Sequence, residues 1–207
     1  MTMLHVQTFS VGLLQTNCYL VTEEKSHKTF IIDPGDDASY IAEIIVSKHL
    51  IPQAILATHG HFDHILAAFE LQHIFTIPFY LHARDEFLLK VMRQSAQYYL
   101  KYPVVEPPPV PTKELWQQTV LMLGVVRFDI METPGHTPGG VSFYCKSEEI
   151  CFTGDTVFAG GAIGDWRHTY SDKQKLLTSV KRIVSLPGNT VLFPGHGEET
   201  SIEQLHV

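Results

Sequence analysis

The sequence predicts an α/β protein in which two β-sheets pack face to face, with helices on their outer sides. Two observations predict it. Short apolar strands gather near the start of the chain and again in its middle, and helical stripes follow each group. Each sheet and each helix has an apolar face to bury, and stacking the two strand groups with helices outside buries them all. The 207 residues suit one domain, 1–207.

Leu4 to Phe9, Asn17 to Thr22 and Thr29 to Asp33 read as strands, with turns at Gly12 and Lys25-Ser26. Ala38 to Lys48 carries Ile41, Ala42, Ile44 and Ile45 as a helical stripe, with Asp36 or Asp37 placed to cap its start. Gln53 to Ala57 is a short buried strand. Ile65 to His73 reads as a helix, Pro78 to His82 as a strand and Asp85 to Tyr102 as a longer helix. Pro103 to Pro111 holds five prolines in nine residues, which excludes helix and predicts polyproline II. It reads as a connector between halves, with a rigid wall beside the active site as the alternative. Val120 to Thr133, Val141 to Lys146 and Glu149 to Thr153 return to strand. Asp172 to Val184 is a helix capped by Ser171 or Asp172, and Thr190 to Phe193 is the last strand.

Bulk properties exclude several classes. The net charge is −7 and no basic cluster exceeds the pair Lys181-Arg182, which argues against a nucleic-acid partner. Residues 1 to 20 lack a basic region followed by an apolar run, so no signal peptide is expected. No apolar stretch approaches the roughly 20 residues of a membrane helix. Cys18, Cys145 and Cys151 are odd in number and form no Cys-x-x-Cys pair, so they read as structural thiols in a reduced cytoplasm.

Function is concentrated in Thr58-His-Gly-His-Phe-Asp-His64. His59, His61, Asp63 and His64 fall within six positions, and no helix or strand period asks for that. Imidazoles and a carboxylate together suit Zn, Fe, Ni or Mn. A turn that splays His59 and His61 one way, and Asp63 and His64 the other, serves two metals. His136 in Pro134-Gly-His-Thr-Pro-Gly139, Asp155 in Thr153-Gly-Asp-Thr156 and His196 in Pro194-Gly-His-Gly197 supply further ligands, each beside a glycine at a strand end. Seven ligands and a shared carboxylate match two metals roughly 3.5–4 Å apart. The other histidines (His5, His27, His49, His73, His82, His168 and His206) lack this context and read as surface or core residues.

These motifs, with Leu14-Gln-Thr-Asn-Cys-Tyr-Leu-Val21 and Ile31-Ile-Asp-Pro-Gly35, resemble the metallo-β-lactamase superfamily, and within it the glyoxalase II-like hydrolases. The resemblance covers nearly the whole chain. It implies a four-layer αββα sandwich. It assigns His59, His61 and His136 to one divalent metal and Asp63, His64 and His196 to another, with Asp155 bridging. Zinc is the expected metal, with iron or manganese as alternatives. Asp63 is the expected catalytic carboxylate, relaying a proton, and Asp33 is expected to orient a metal-bound imidazole. The implied function is hydrolysis of a thioester or small acyl ester by a metal-bridged hydroxide. A mononuclear iron persulfide dioxygenase and a lactonase are the alternatives, and β-lactamase activity is disfavoured by Asp155.

Glyoxalase II-like proteins usually carry Arg or Lys after the last glycine of the run that ends here at Gly164. This chain has Asp165, so Arg167 is the expected substitute, with Trp166 and Tyr170 as an apolar wall for the small-molecule acyl substrate. The chain ends at Val207, so the helical domain that completes the glutathione site of full-length glyoxalase II is expected to be absent. The oligomeric state is left open.

Overall fold

The structure, a computed structural model, describes residues 3–116 and 119–205. The expectation for His206 lies outside the described residues. Strands β1 (Leu4–Val11), β2 (Thr16–Glu23) and β3 (Lys28–Ile32) form an antiparallel meander. Helix α1 (Ala38–Ser47) then crosses over to the parallel strand β4 (Ile51–Leu56). Two short helices, α2 (Phe62–Ile65) and α3 (Ala68–Phe75), lead to β5 (Phe79–Leu81). Helix α4 (Glu86–Leu100) and the two-residue β6 (Lys113–Glu114) complete a six-stranded sheet in the order β1 to β6.

The second half repeats the scheme. Strands β7 (Val120–Leu123), β8 (Val126–Glu132), β9 (Val141–Cys145) and β10 (Ile150–Gly154) are antiparallel neighbours. Helix α5 (Lys173–Val184) crosses over to the parallel strand β11 (Val191–Pro194), and β12 (Thr200–Ser201) closes the edge of the second six-stranded sheet. In each half an antiparallel meander, of three strands in the first and four in the second, leads through a crossover helix to a parallel strand.

Strand alternation sorts the side chains into layers. Tyr19, Val21, Phe30, Ile32 and Leu56 face inward and meet Phe128, Phe143, Phe152 and Phe193 between the sheets. Leu20, Ile31 and Ile55 face outward onto Ile41, Ile45, Leu71 and Met92 of the helices. On the far side, Tyr144, Cys151 and Leu192 pack on Val180 and Ile183 of α5. The order is α/β/β/α, as expected. The central strands β2, β3, β9 and β10 are covered on both faces and buried along nearly their whole length, whereas β1, β7 and β8 carry exposed positions between buried ones.

Several boundaries differ from the sequence reading. The strand expected over Val120 to Thr133 is a hairpin, turned at Gly124, whose φ of 60° is the left-handed region that glycine enters freely. The helix expected from Ile65 begins earlier and is broken between α2 and α3. Asp37 stands at the head of α1 but does not cap it with its side chain: its backbone is left-handed, and its carboxylate accepts the Gly12 N–H instead. Asp172 does cap α5, accepting the N–H groups of Gln174 and Lys175. The proline-rich segment runs along α3 and α4, where Gln72 exchanges hydrogen bonds with Val110 and Arg93 donates to the Glu106 carbonyl.

Candidate metal centre

All seven expected ligand residues lie at the carboxyl ends of strands. The heptapeptide follows β4. His59 lies in the bend after the strand, and His61, on extended backbone, is the residue before α2, so Asp63 and His64 fall on the first helical turn. Burial of Phe62 and Ile65 fixes how that turn sits on the core. His136 follows β8, Asp155 follows β10 and His196 follows β11.

Two groups of donor atoms result: His59, His61 and His136 in one, Asp63, His64 and His196 in the other. In the first, His61 Nδ1 lies 3.1 Å from His59 Nε2 and 2.9 Å from His136 Nε2. In the second, His196 Nε2 lies 3.4 Å and His64 Nε2 3.7 Å from Asp63 Oδ2. Asp155 stands between them. Its Oδ1 is 3.5 Å from His64 Nε2, and its Oδ2 is 3.5 Å from His136 Nε2 and 3.7 Å from His196 Nε2.

The outward nitrogen of each imidazole is held. His59 Nδ1–H donates to Thr58 Oγ1, whose own proton goes to Asp33. His64 Nδ1–H donates to Asp33, His136 Nδ1–H to the Asp165 carbonyl and His196 Nδ1–H to the Gln15 carbonyl. The Tyr170 hydroxyl lies 2.8 Å from His61 Nε2. These partners leave the inward nitrogens to present lone pairs, the arrangement that supports a metal-bound imidazole. Burial, reinforced by the neighbouring imidazoles, holds His59 and His61 well below the usual imidazole pKa.

The donor set fits metal ions. His64 Nε2 and Asp155 Oδ1 are buried without a hydrogen-bond partner, which a folded protein rarely tolerates unless an ion or water completes the site. Burial opposes charge on His64, yet Asp155, Asp63 and Asp33 around it raise its pKa to about 10. Those carboxylates draw positive charge to this spot, whether a proton on Nε2 or a divalent cation in its place. Asp33, Thr58 and Asp85 support the cluster from outside. Asp33 also groups with His59 and His64, but it accepts from the Thr58 N–H, the Thr58 hydroxyl and His64, so its oxygens are already used.

The sequence reading missed Asp85. Fully buried at the head of α4, it accepts from Gly60 N–H, Gly139 N–H and the Thr137 hydroxyl, and so ties the heptapeptide loop to the His136 loop. Its only sequence signal was an acidic residue before a helix. Asn17 and Tyr19 likewise hold the His196 loop, both donating to the Pro194 carbonyl. Glycines permit this closeness: a side chain at Gly195 would overlap the Asp155 carboxylate and the His64 ring.

Beside the cluster opens a cleft of about 360 Å³. Leu14, Phe62, Leu88 and Tyr99 form its apolar wall, and His61 and Asp63 its metal side. Of the expected substrate residues, the structure places only Tyr170 in the lining. Trp166 lies under the Lys173 ammonium, 4.5 Å from the ring centre. Arg167 is turned outward, its side chain 82% exposed, and its guanidinium takes both oxygens of Asp165. His168, read as a surface or core residue, stacks on Tyr170 and lines the cleft.

The profile of the metallo-beta-lactamase superfamily matches residues 11–196. The chain belongs to this superfamily. It is 34% identical over 194 residues to the probable metallo-hydrolase YqgX of Bacillus subtilis, covering 93% of this chain and 90% of the relative. It is 30% identical over 204 residues to the hydroxyacylglutathione hydrolase GloC of Haemophilus influenzae, covering 97% and 94%. Among solved structures, TTHA1623 in a di-iron-bound form aligns with a TM-score of 0.86 at 35% identity, covering 96% of both chains. The BLEG-1 B3 metallo-beta-lactamase aligns with a TM-score of 0.89 at 33% identity, covering 97% of this chain and 95% of that one. Superfamily members bind metal ions, and the His/Asp clusters described above fit such a site. No helix among the described residues is long and apolar enough to cross a membrane.

Proposed function

We propose that the protein is a dinuclear metal-dependent hydrolase of a thioester or small acyl ester. The observation that carries this is Asp155, whose carboxylate stands between the two donor groups: its Oδ2 lies 3.5 Å from His136 Nε2 of one and 3.7 Å from His196 Nε2 of the other, and its Oδ1 lies 3.5 Å from His64 Nε2 of that second group. In this reading His59, His61 and His136 hold one ion, Asp63, His64 and His196 hold the other, and Asp155 serves both. Zinc is the first candidate; the di-iron form of TTHA1623 supports iron as well. A bound pair supplies a water deprotonated near neutral pH and positive charge opposite the developing oxyanion.

The chain's own groups do the rest. Asp63 faces the cleft and the cluster together, so its carboxylate is placed to accept a proton from the attacking water and pass it to the leaving group. Burial opposes its ionisation, but His64, His196 and His61 hold its carboxyl below the usual carboxylate range. The Thr16 hydroxyl, donating to Asp63 Oδ2 at 3.2 Å, keeps that carboxylate aimed. The apolar wall positions the acyl or thiol portion of a small substrate and keeps water away from it.

Metal analysis with a panel of thioesters, esters, lactones and β-lactams tests this. Two ions per chain with thioester or ester turnover is the expected result. One iron per chain with oxygen uptake on a persulfide would replace the hydrolase with a dioxygenase. Turnover of lactones or β-lactams alone would move the substrate class.

A further inference from the structure

Building on the hydrolase reading, we infer that the cleft selects an uncharged, apolar acyl substrate and discriminates against anionic ones such as glutathione conjugates. The argument is one of charge and surface. No lysine or arginine is among the residues lining the cleft, whereas the Asp63 carboxylate is part of its wall. Three cations of the adjoining segments are engaged elsewhere. Arg167 is clamped in two-point contact on Asp165 and points to solvent. Lys173 lies over Trp166, and Lys101 sits 4.3 Å from the centre of the Tyr98 ring. An anionic tail entering the cleft therefore meets no side-chain cation to replace the water it loses.

The apolar surface is organised. Tyr99 stacks on Phe62 with ring centres 5.8 Å apart, and Phe87 packs edge-on to Tyr170 at 5.3 Å. Leu88, Ser95 and Tyr99 are spaced at helical intervals along α4, so one face of that helix forms the floor between the two aromatic pairs. Tyr99 stays half-exposed and Leu14 is 40% exposed, which leaves apolar surface open at the cleft for a hydrocarbon or aromatic group to cover. At about 360 Å³ the cleft is at the small end of ligand sites, with room for an acyl group and a short thiol or alcohol.

Binding separates this inference from the hydrolysis on which it rests. The ligands are S-hexylglutathione, a net anion, and its N-acetyl bis(methylamide), which carries no charge; both are thioethers with no ester or thioester to cleave. Their affinities are measured by calorimetry on the metal-loaded protein. The uncharged amide is expected to bind about tenfold tighter, and Tyr99→Ala to weaken it by about the same factor. Ser95→Lys places an ammonium on the cleft floor and is expected to bring S-hexylglutathione up to the amide. Equal or tighter binding of S-hexylglutathione to the unaltered protein overturns the inference. In parallel, acetyl, hexanoyl and benzoyl thioesters of N-acetylcysteamine should show kcat/KM rising with apolar area, and a flat series also overturns it. If the thioethers show the expected preference but no thioester turns over, the hydrolase reading fails and the neutral ligand preference stands.

Discussion

Asp33 accepts the Nδ1–H of His64 at 2.9 Å, and both side chains are shut off from solvent. The same carboxylate takes the N–H and hydroxyl of Thr58 at 2.7 and 2.6 Å. An amide at this position would set its NH₂ against one of these donors whichever way it turned. Asp33→Asn is therefore expected to weaken the Asp63–His64–His196 site by about 10–100-fold. Competition titration against a chelator reads it directly; unchanged affinity would mean that His64 needs no such orienting partner.

Asp85 carries a comparable load with no part in binding metal. Asp85→Asn removes an acceptor from a fully buried site where three donors converge. The expected loss is about 1–3 kcal/mol in urea unfolding. A loss within about 0.5 kcal/mol, the usual range for an exposed position, would show that the two loops hold together without it.

Asp155 is expected to matter with and without metal. Asp155→Ala should lower metal content to one ion per chain or fewer. It should also lower the melting point of the chelated protein, because it removes the carboxylate that does most to hold a proton on the buried His64. Metal analysis and thermal melts in chelator check both halves. An unchanged or higher melting point of the chelated variant would mean that the Asp155 oxygen left without a hydrogen-bond partner costs as much as its pairing with His64 contributes.

Arg167→Ala is expected to change KM for S-lactoylglutathione by less than about twofold, because its charge is spent on Asp165 at an exposed position. Steady-state kinetics decide it. A large rise in KM with kcat preserved would show that the loop refolds on substrate and delivers Arg167 to it.

The thiols give a pH dependence. Burial pushes the Cys151 thiol up to about 12, and burial together with Asp33 raises Cys18 further. Both folded values lie above the unfolded thiol value of about 8.5. Their contribution to stability is complete below about pH 8.5 and falls away as pH rises toward the folded values, because only the unfolded chain ionises there. The urea midpoint should drop across that alkaline range, and Cys18→Ala with Cys151→Ala should flatten the drop. Maleimide should label the native protein slowly near about pH 8 and all three cysteines rapidly once unfolded.

The layers and the cluster were legible because each leaves a local trace. The strands are short, apolar-rich segments, some buried throughout and some alternating, and the cluster residues sit in glycine-flanked motifs whose chemistry no core position requires. The grouping of His59 and His61 apart from Asp63 and His64 followed from the turn between them, which is the start of α2. What was not legible depends on partners distant in sequence. Asp85 looked like any acidic residue before a helix, since Gly60 and Gly139 reach it only in the fold. Arg167 looked available because the sequence does not say that Asp165 folds back onto it. The hairpin at Gly124 was hidden by apolar residues on both sides of the turn, and the two-residue strands β6 and β12 are too short to show a period.

Ownership of the donor groups has a consequence for assembly. His59, His61, Asp63 and His64 belong to the half built on the first sheet, and His136, Asp155 and His196 to the half built on the second. Each group therefore draws on both halves, and neither half alone completes either group. A bound ion acts as a rivet between the sheets, adding its binding free energy to the docked state only. Metal uptake should then report the closing of one half on the other, and chelation should loosen that seam before it disturbs either sheet.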